Sequence, residues 1–160
     1  MIELRKPKRF LGYWRDPEKT AKAFRDDWFV TGDFGRMDED GQVSVLGRGA
    51  DLIITGGLNV YPKEVEAALN AIDGVLESAV IGVPHPDFGE AVLAVVQLDG
   101  AGAAFDRSEA LKKLKSSLSG YKLPKDIEIL EDMPRNTLGK VQKNLLRQRF
   151  LSRFDHLPRP

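Results

Sequence analysis

The sequence predicts an α+β fold, with helices packed on a small mixed β-sheet and a β-rich segment ahead of it. Three observations lead there. Two apolar runs, Leu76 to Val83 and Ala91 to Leu98, have the pattern of buried strands. Helical spacing places Val65, Ala68, Leu69 and Ile72 on one face, and Leu111, Leu114 and Leu118 on another. After Gly49 the elements follow in the order β-α-β-β-α-β-α, which suits helices covering one small sheet.

The elements are justified in turn. Asp16 is placed to cap a helix that Pro17 opens and that runs to about Arg25. Trp28 to Met37 reads as extended chain broken at Thr31-Gly32-Asp33. Asp38-Glu39-Asp40-Gly41 is a hairpin turn signal, because Asp-Gly tolerates positive φ. Gln42 to Leu46 alternates polar and apolar residues, as a half-buried strand does. Gly47-Arg48-Gly49 interrupts, and a short apolar strand follows from Asp51 to Thr55. Gly56-Gly57 is a permissive loop, and Pro62 begins a helix. Pro84-His85-Pro86 ends the first apolar strand, and Gly100 to Ala104 is a small-residue loop. A helix from about Asp106 to Ser119 is closed by Gly120 and Pro124. Asp126 to Leu130 is a further strand, and Lys143 to about Phe154 the last helix. The organisation is therefore residues 1–49 as the end of a larger body, 50–153 as a compact domain, and 154–160 as a frayed tail. An isolated hairpin is marginal in water, and the first part has few strands to support it.

Composition narrows the function classes. The chain has 160 residues, 42% of them hydrophobic, enough for a buried core. Its 24 basic and 24 acidic residues balance, so no bulk field attracts nucleic acid. It has no cysteine, which excludes a disulfide scaffold and a thiolate metal site. No apolar run approaches the roughly 20 residues of a membrane span, and the first residues lack a signal-peptide core. The expectation is a cytoplasmic protein without a metal site.

Four places carry chemistry. Lys140 follows Gly139 in Pro134-Arg135-Asn136-Thr137-Leu138-Gly139-Lys140-Val141-Gln142-Lys143. A glycine before a loop lysine lets one cation project toward a phosphate or a developing phosphoryl charge. It is not a Walker phosphate loop, since Pro134 and Val141 stand where that motif needs a glycine and a hydroxyl. By residue type alone, Lys140 reads more readily as an ordinary exposed loop lysine. Asp33 after Thr31-Gly32 is a turn carboxylate or a bidentate acceptor for two ribose hydroxyls. Arg48 between two glycines is a strand-end surface cation, and the flanking glycines fit a pivot. Gly56-Gly57 is a simple turn or a place where bare backbone meets a ligand. His85 reads as a turn residue, and Lys143 with Arg147 as a solvated helix face, the alternative being contact with a ligand's phosphates. Arg5, Lys6, Lys8 and Arg9 form a basic cluster that an exposed strand edge explains.

Phe29-Val30-Thr31-Gly32-Asp33, Gly47-Arg48-Gly49, Ile54-Thr55-Gly56-Gly57-Leu58-Asn59-Val60-Tyr61-Pro62 and the Lys140 run, in this order, resemble the C-terminal third of the adenylate-forming enzymes. That family includes acyl-CoA synthetases, luciferases and peptide-synthetase adenylation domains. Residues 10 to 150 carry the likeness, and Pro84-His85-Pro86-Asp87-Phe88-Gly89-Glu90 with the Lys140 run is most similar to bacterial malonyl-CoA synthetases. The resemblance implies the AMP-binding enzyme C-terminal lid fold, with residues 1–49 as the end of the large N-terminal domain. It implies ligation of a carboxylic acid, with malonate suggested, to CoA at the expense of ATP, with Mg²⁺ on the phosphates. Lys140 is then the catalytic cation. Asp33 and Arg48 bind the ATP or AMP, Gly56 and Gly57 line the CoA path, and Gly49 and Ala50 form the hinge. The family commonly has Asp or Lys at the hinge position that is Ala50 here; either Asp51, the next residue, substitutes in part or the pivot works without a charged side chain. Two other readings compete: an adenylation domain feeding a carrier protein, and a stand-alone module binding nucleotide or CoA. The 160 residues by themselves are expected to show little ligase activity.

Overall fold

The computed structural model describes residues 1–5, 11–100 and 105–157. Lys6, Lys8 and Arg9 of the basic cluster, most of the small-residue loop and Pro158 to Pro160 lie outside these residues. The chain divides into two compact units, Met1–Ala50 and Asp51–Pro160.

The first unit holds two small antiparallel sheets. Strands β1 (Glu3–Arg5), β2 (Phe24–Arg25) and β3 (Trp28–Val30) pair in the order β1-β3-β2. Helix α1 (Pro17–Lys22) precedes β2, and the Asp16 side chain caps it by accepting from the Lys19 amide at 2.9 Å. The helix stops before Arg25 because Phe24 and Arg25 are drawn into pairing with β3. Strands β4 (Asp33–Met37) and β5 (Val43–Arg48) form a hairpin. Its turn is closed by Gly41 at φ +79°, whose amide donates to the Asp38 carbonyl. The expected half-burial of β5 is absent: Val43 and Val45 are 54% and 48% exposed. Among the described residues of this unit no hydrophobic side chain is buried.

The second unit owns the core. Strands β6 (Ile53–Thr55), β7 (Leu58–Val60), β8 (Val75–His85), β9 (Gly89–Leu98) and β10 (Asp126–Ile129) form one mixed sheet. β8 pairs antiparallel along β9, and β10 pairs parallel on β9's other side. The β6–β7 hairpin joins through Thr55 opposite Gly89. Strand β7 is the element that the sequence reading lacks: Gly56-Gly57 is a two-residue hairpin turn, with φ of +56° and +79°.

Helices cover both faces, which is why β8 and β9 read as unbroken apolar runs. On one face α2 (Pro62–Asn70) and α3 (Arg107–Ser117) press Val65, Leu69, Ala110 and Leu114 onto Val80, Val92, Ala94 and Val96. On the other, α4 (Lys143–Arg149) and the turns after it bring Leu146 and Phe154 against Ala79, Ile81, Leu93 and Val95. Alternate residues of one strand thus enter opposite cores. Asp106 caps α3 by accepting from the Ser108 and Glu109 amides.

Two boundaries differ from expectation. β8 continues through Pro84 to His85, because β8 is an edge strand and its outer side needs no proline N–H. The last helix ends at Arg149, yet the chain beyond is not loose. Phe154 is 8% exposed, Leu157 packs against the same core, and Arg153 pairs with Asp126 and Glu128 of β10.

Candidate functional site

In the first unit, Asp33 and Arg48 are directly opposite on β4 and β5. Arg48 Nε lies 3.5 Å from Asp33 Oδ1, and the Arg48 side chain remains 73% exposed. The local sequence builds this corner. Thr31 donates its hydroxyl to the Ile2 carbonyl at 2.8 Å and accepts from the Asp33 amide at 3.0 Å. Gly32 turns the chain between them at φ +77°. Its carbonyl accepts from the Gly49 amide at 2.8 Å, so the far end of β5 is tied back to the same turn. Gly49 is close-packed rather than conformationally special: a Cβ there would sit 2.9 Å from the Phe34 ring. The result is a carboxylate–guanidinium pair with Asp33 half-buried and Arg48 exposed, acceptors for hydroxyls beside donors for an anion.

Gly49, Ala50 and Asp51 form one turn of 3₁₀ helix. Gly49 is anchored in the first unit, as above. In the second unit the Asp51 carboxylate accepts from Arg147 at 2.8 Å. Ala50 is the residue between the two anchors, and the division into units falls after it. The Asp51 charge is therefore committed to helix α4, and Arg147 is no solvated helix-face residue.

Lys140 ends a compact loop. Arg135 and Val141 form an isolated antiparallel bridge, and the Gln142 amide donates to the Pro134 carbonyl at 2.7 Å. Asn136 fills the loop from within: its Oδ1 accepts from the amides of Leu138 at 3.0 Å and Lys140 at 2.9 Å. Gly139 at φ +77° permits the final reversal. Lys140 is exposed, and its ammonium has no ion pair among the described residues. This is a cation held by its backbone with its head group uncommitted. Lys143, the first residue of α4, is different. Its ammonium lies 2.6 Å from Glu66 Oε1, with the two side chains only 18% and 16% exposed. Its charge is engaged by a carboxylate and largely shielded from water.

The Gly56-Gly57 turn sits beside Phe88, whose carbonyl accepts from the Gly56 amide at 2.9 Å. The Lys125 ammonium rests 4.4 Å from the Phe88 ring centroid. Positive φ at both glycines accounts for their identity without a ligand, and a Cβ on Gly57 would meet open space. His85 accepts at Nδ1 from the Asp87 amide and stacks on Phe88 and Phe154, as a turn-supporting residue. Among the described residues no three His, Asp or Glu side chains gather to hold a metal ion.

Residues 64–140 match the AMP-binding enzyme C-terminal domain. This chain contains an AMP-binding enzyme C-terminal domain. The matched span of that domain closes on Lys140 itself, and Asp33, Arg48, Gly56 and Gly57 lie ahead of it. The chain is 54% identical to ATP-bound MatB from Rhodopseudomonas palustris, with a TM-score of 0.85, covering 95% of this chain and 30% of that one. It is 44% identical over 144 residues to a feruloyl-CoA synthase of Amycolatopsis, covering 90% of this chain and 29% of that protein. It is 38% identical to the amide bond synthetase McbA from Marinactinospora thermotolerans, with a TM-score of 0.84, covering 92% and 30%. The chain thus spans about 30% of the length of the proteins it matches. Among the described residues no helix is long and apolar enough to cross a membrane.

Within the AMP-binding C-terminal domain, sequence reasoning missed Phe88, Lys125, Arg135 and Asn136 as neighbours of the expected residues. Phe88 and Asn136 had a signal, since each stands in a motif already singled out. Lys125 had none, because only β10 brings it to the turn.

Proposed function

We propose that this chain is the C-terminal portion of an ATP-dependent acid–CoA ligase. A carboxylate oxygen attacks the α-phosphorus of ATP, giving an acyl-adenylate and pyrophosphate. The CoA sulfur then attacks the acyl carbon, the acyl–oxygen bond breaks, and acyl-CoA and AMP leave. The Asp33–Arg48 pair carries the reading. Two residues singled out separately as nucleotide contacts are cross-strand partners within ion-pair distance, reachable from solvent. Asp33 accepts from the ribose hydroxyls, and Arg48 reaches toward the phosphates. Lys140, unpaired on its braced loop, neutralises charge as pyrophosphate departs. Mg²⁺ arrives on the ATP phosphates. The turn about Ala50 then rotates the small unit, withdrawing Lys140 and presenting Gly56-Gly57 with Phe88 and Lys125 to CoA.

The likeness to MatB, a malonyl-CoA synthetase, makes malonate the first acid to try. The likeness to an amide bond synthetase makes an amine the competing acceptor, so both acceptors belong in the assay. In a full-length protein carrying this sequence, Lys140→Ala is expected to reduce ATP–pyrophosphate exchange by about 10²-fold or more. Thioester formation from supplied acyl-adenylate should survive. Exchange at the parental rate would sink the assignment.

A further inference from the structure

Lys140 has no ion pair among the described residues, and besides the bonds within its loop one side chain ties that loop to the sheet. Arg135 donates through Nη1 to the Gly139 carbonyl at 3.0 Å. Its Nη2 donates to Glu77 Oε2 and lies 3.4 Å from Gln97 Oε1. Glu77 and Gln97 are opposite one another on β8 and β9. The pairing of β8 slips between Val75 and Glu77, leaving Leu76 bulged outward and 60% exposed. A bulge re-aims the side chains beside it, and here Glu77 and Gln97 meet the guanidinium together. Gln97 also donates through Nε2 to the Glu131 carbonyl at 2.8 Å, holding the strand end that leads into the loop.

We propose that Arg135 is a positioning residue for Lys140, clamped by the Glu77–Gln97 pair and gripping the loop at Gly139. The inference rests on the ligase reading above. The Arg135 and Glu77 side chains are 38% and 36% exposed, so as an isolated surface ion pair they would contribute little. What the arrangement supplies is direction. A planar fork with acceptors on both nitrogens has one orientation, and the carbonyl it holds belongs to the residue before Lys140. The cation is thereby offered from a loop tied to the end of the β8–β9 pair. Lysine at 135 keeps the charge but not the fork.

Hydrogen exchange on this chain tests the clamp without catalysis. The amides of Leu138, Gly139 and Lys140 all bond within the loop. Arg135→Met and Glu77→Met should each speed their exchange about 10-fold, while buried β9 amides such as Leu93 stay unchanged. Arg135→Lys should fall between. In the full-length ligase the same variants should lower kcat for adenylate formation with KM for ATP unchanged, and spare thioester formation. Unaltered loop exchange, or equal loosening of loop and strand, overturns the proposal. Exchange decides the clamp even if Lys140→Ala spares adenylate formation, so the two readings fail separately.

Discussion

Replacing Lys143 by Met tests whether α4 is fastened to α2 by charge. The pair with Glu66 is 2.6 Å long, and both side chains are less than one-fifth exposed. Glu66 Oε1 also accepts from the Val80 amide at 2.8 Å. Removing one partner of a fully buried pair costs about 3–5 kcal/mol, chiefly because a charge is left without compensation. Here some water reaches both groups, and the orphaned carboxylate keeps the Val80 donor. A loss of about 2 kcal/mol follows for Lys143→Met. For a unit of this size that is about 8 °C in Tm. Glu66→Gln removes the charge but leaves an oxygen for Val80, so the double-mutant cycle isolates the ionic part. Urea unfolding of the four proteins should give a coupling of at least about 1 kcal/mol. In 1 M salt most of it should persist, as burial limits screening. A coupling under about 0.5 kcal/mol, or one abolished by salt, would mean that the pair behaves as a surface contact and that α4 is held by its apolar packing and the Arg147–Asp51 bond.

Further expectations concern the turn and the pH response. Gly57→Ala meets no steric obstacle but forces a side chain to φ +79°, so it should cost about 1–2 kcal/mol in thermal unfolding with the β8–β9 core intact. A larger loss would point to packing at the turn. Lys122 has its pKa raised above the ordinary 10.5, first by its hydrogen bond to Glu64 and then by that carboxylate's charge, against partial burial. Its Nζ lies 2.6 Å and 2.8 Å from the two Glu64 oxygens. A raised lysine pKa stabilises the fold fully below the unfolded value and loses that stabilisation as pH rises through the folded one. The stability gap between the parent and Lys122→Met should therefore be flat from pH 7 to about pH 10 and shrink above it. A gap that widens at high pH would contradict this.

Much of the fold was legible because its cues are local. The 3.6-residue spacing in α2 and α3, the Asp106 cap and the Asp-Gly turn each need only a few neighbouring residues. Strand β7 was missed although its cue was local too: Gly56-Gly57 flanked by Thr55 and Leu58 is a two-residue hairpin signal, overshadowed by the helix start at Pro62. Lys143 was misjudged for another reason. Its partner Glu66 is far away in sequence, and spacing along α4 says nothing of what α2 presents. The same holds for Phe154, buried by contacts with β8 and His85 that a short polar tail does not advertise. At the candidate site, residue types and motif order pointed to Asp33, Arg48 and Lys140. That Asp33 and Arg48 lie opposite one another depended on strand register, which only the folded hairpin shows.

The long free side of β8 has a bearing on solubility. A strand of eleven residues with one open side is a template on which another chain can assemble. Three features spoil it. Pro84 has no amide to donate, the bulge at Leu76 breaks the repeat, and the Val80 amide is already occupied by Glu66. Glu66 thus acts as a plug as well as a counter-ion. A protein that loses it would be at risk of clumping during synthesis, when α2 and α4 have yet to close over the strand, even if its finished form were stable enough to work.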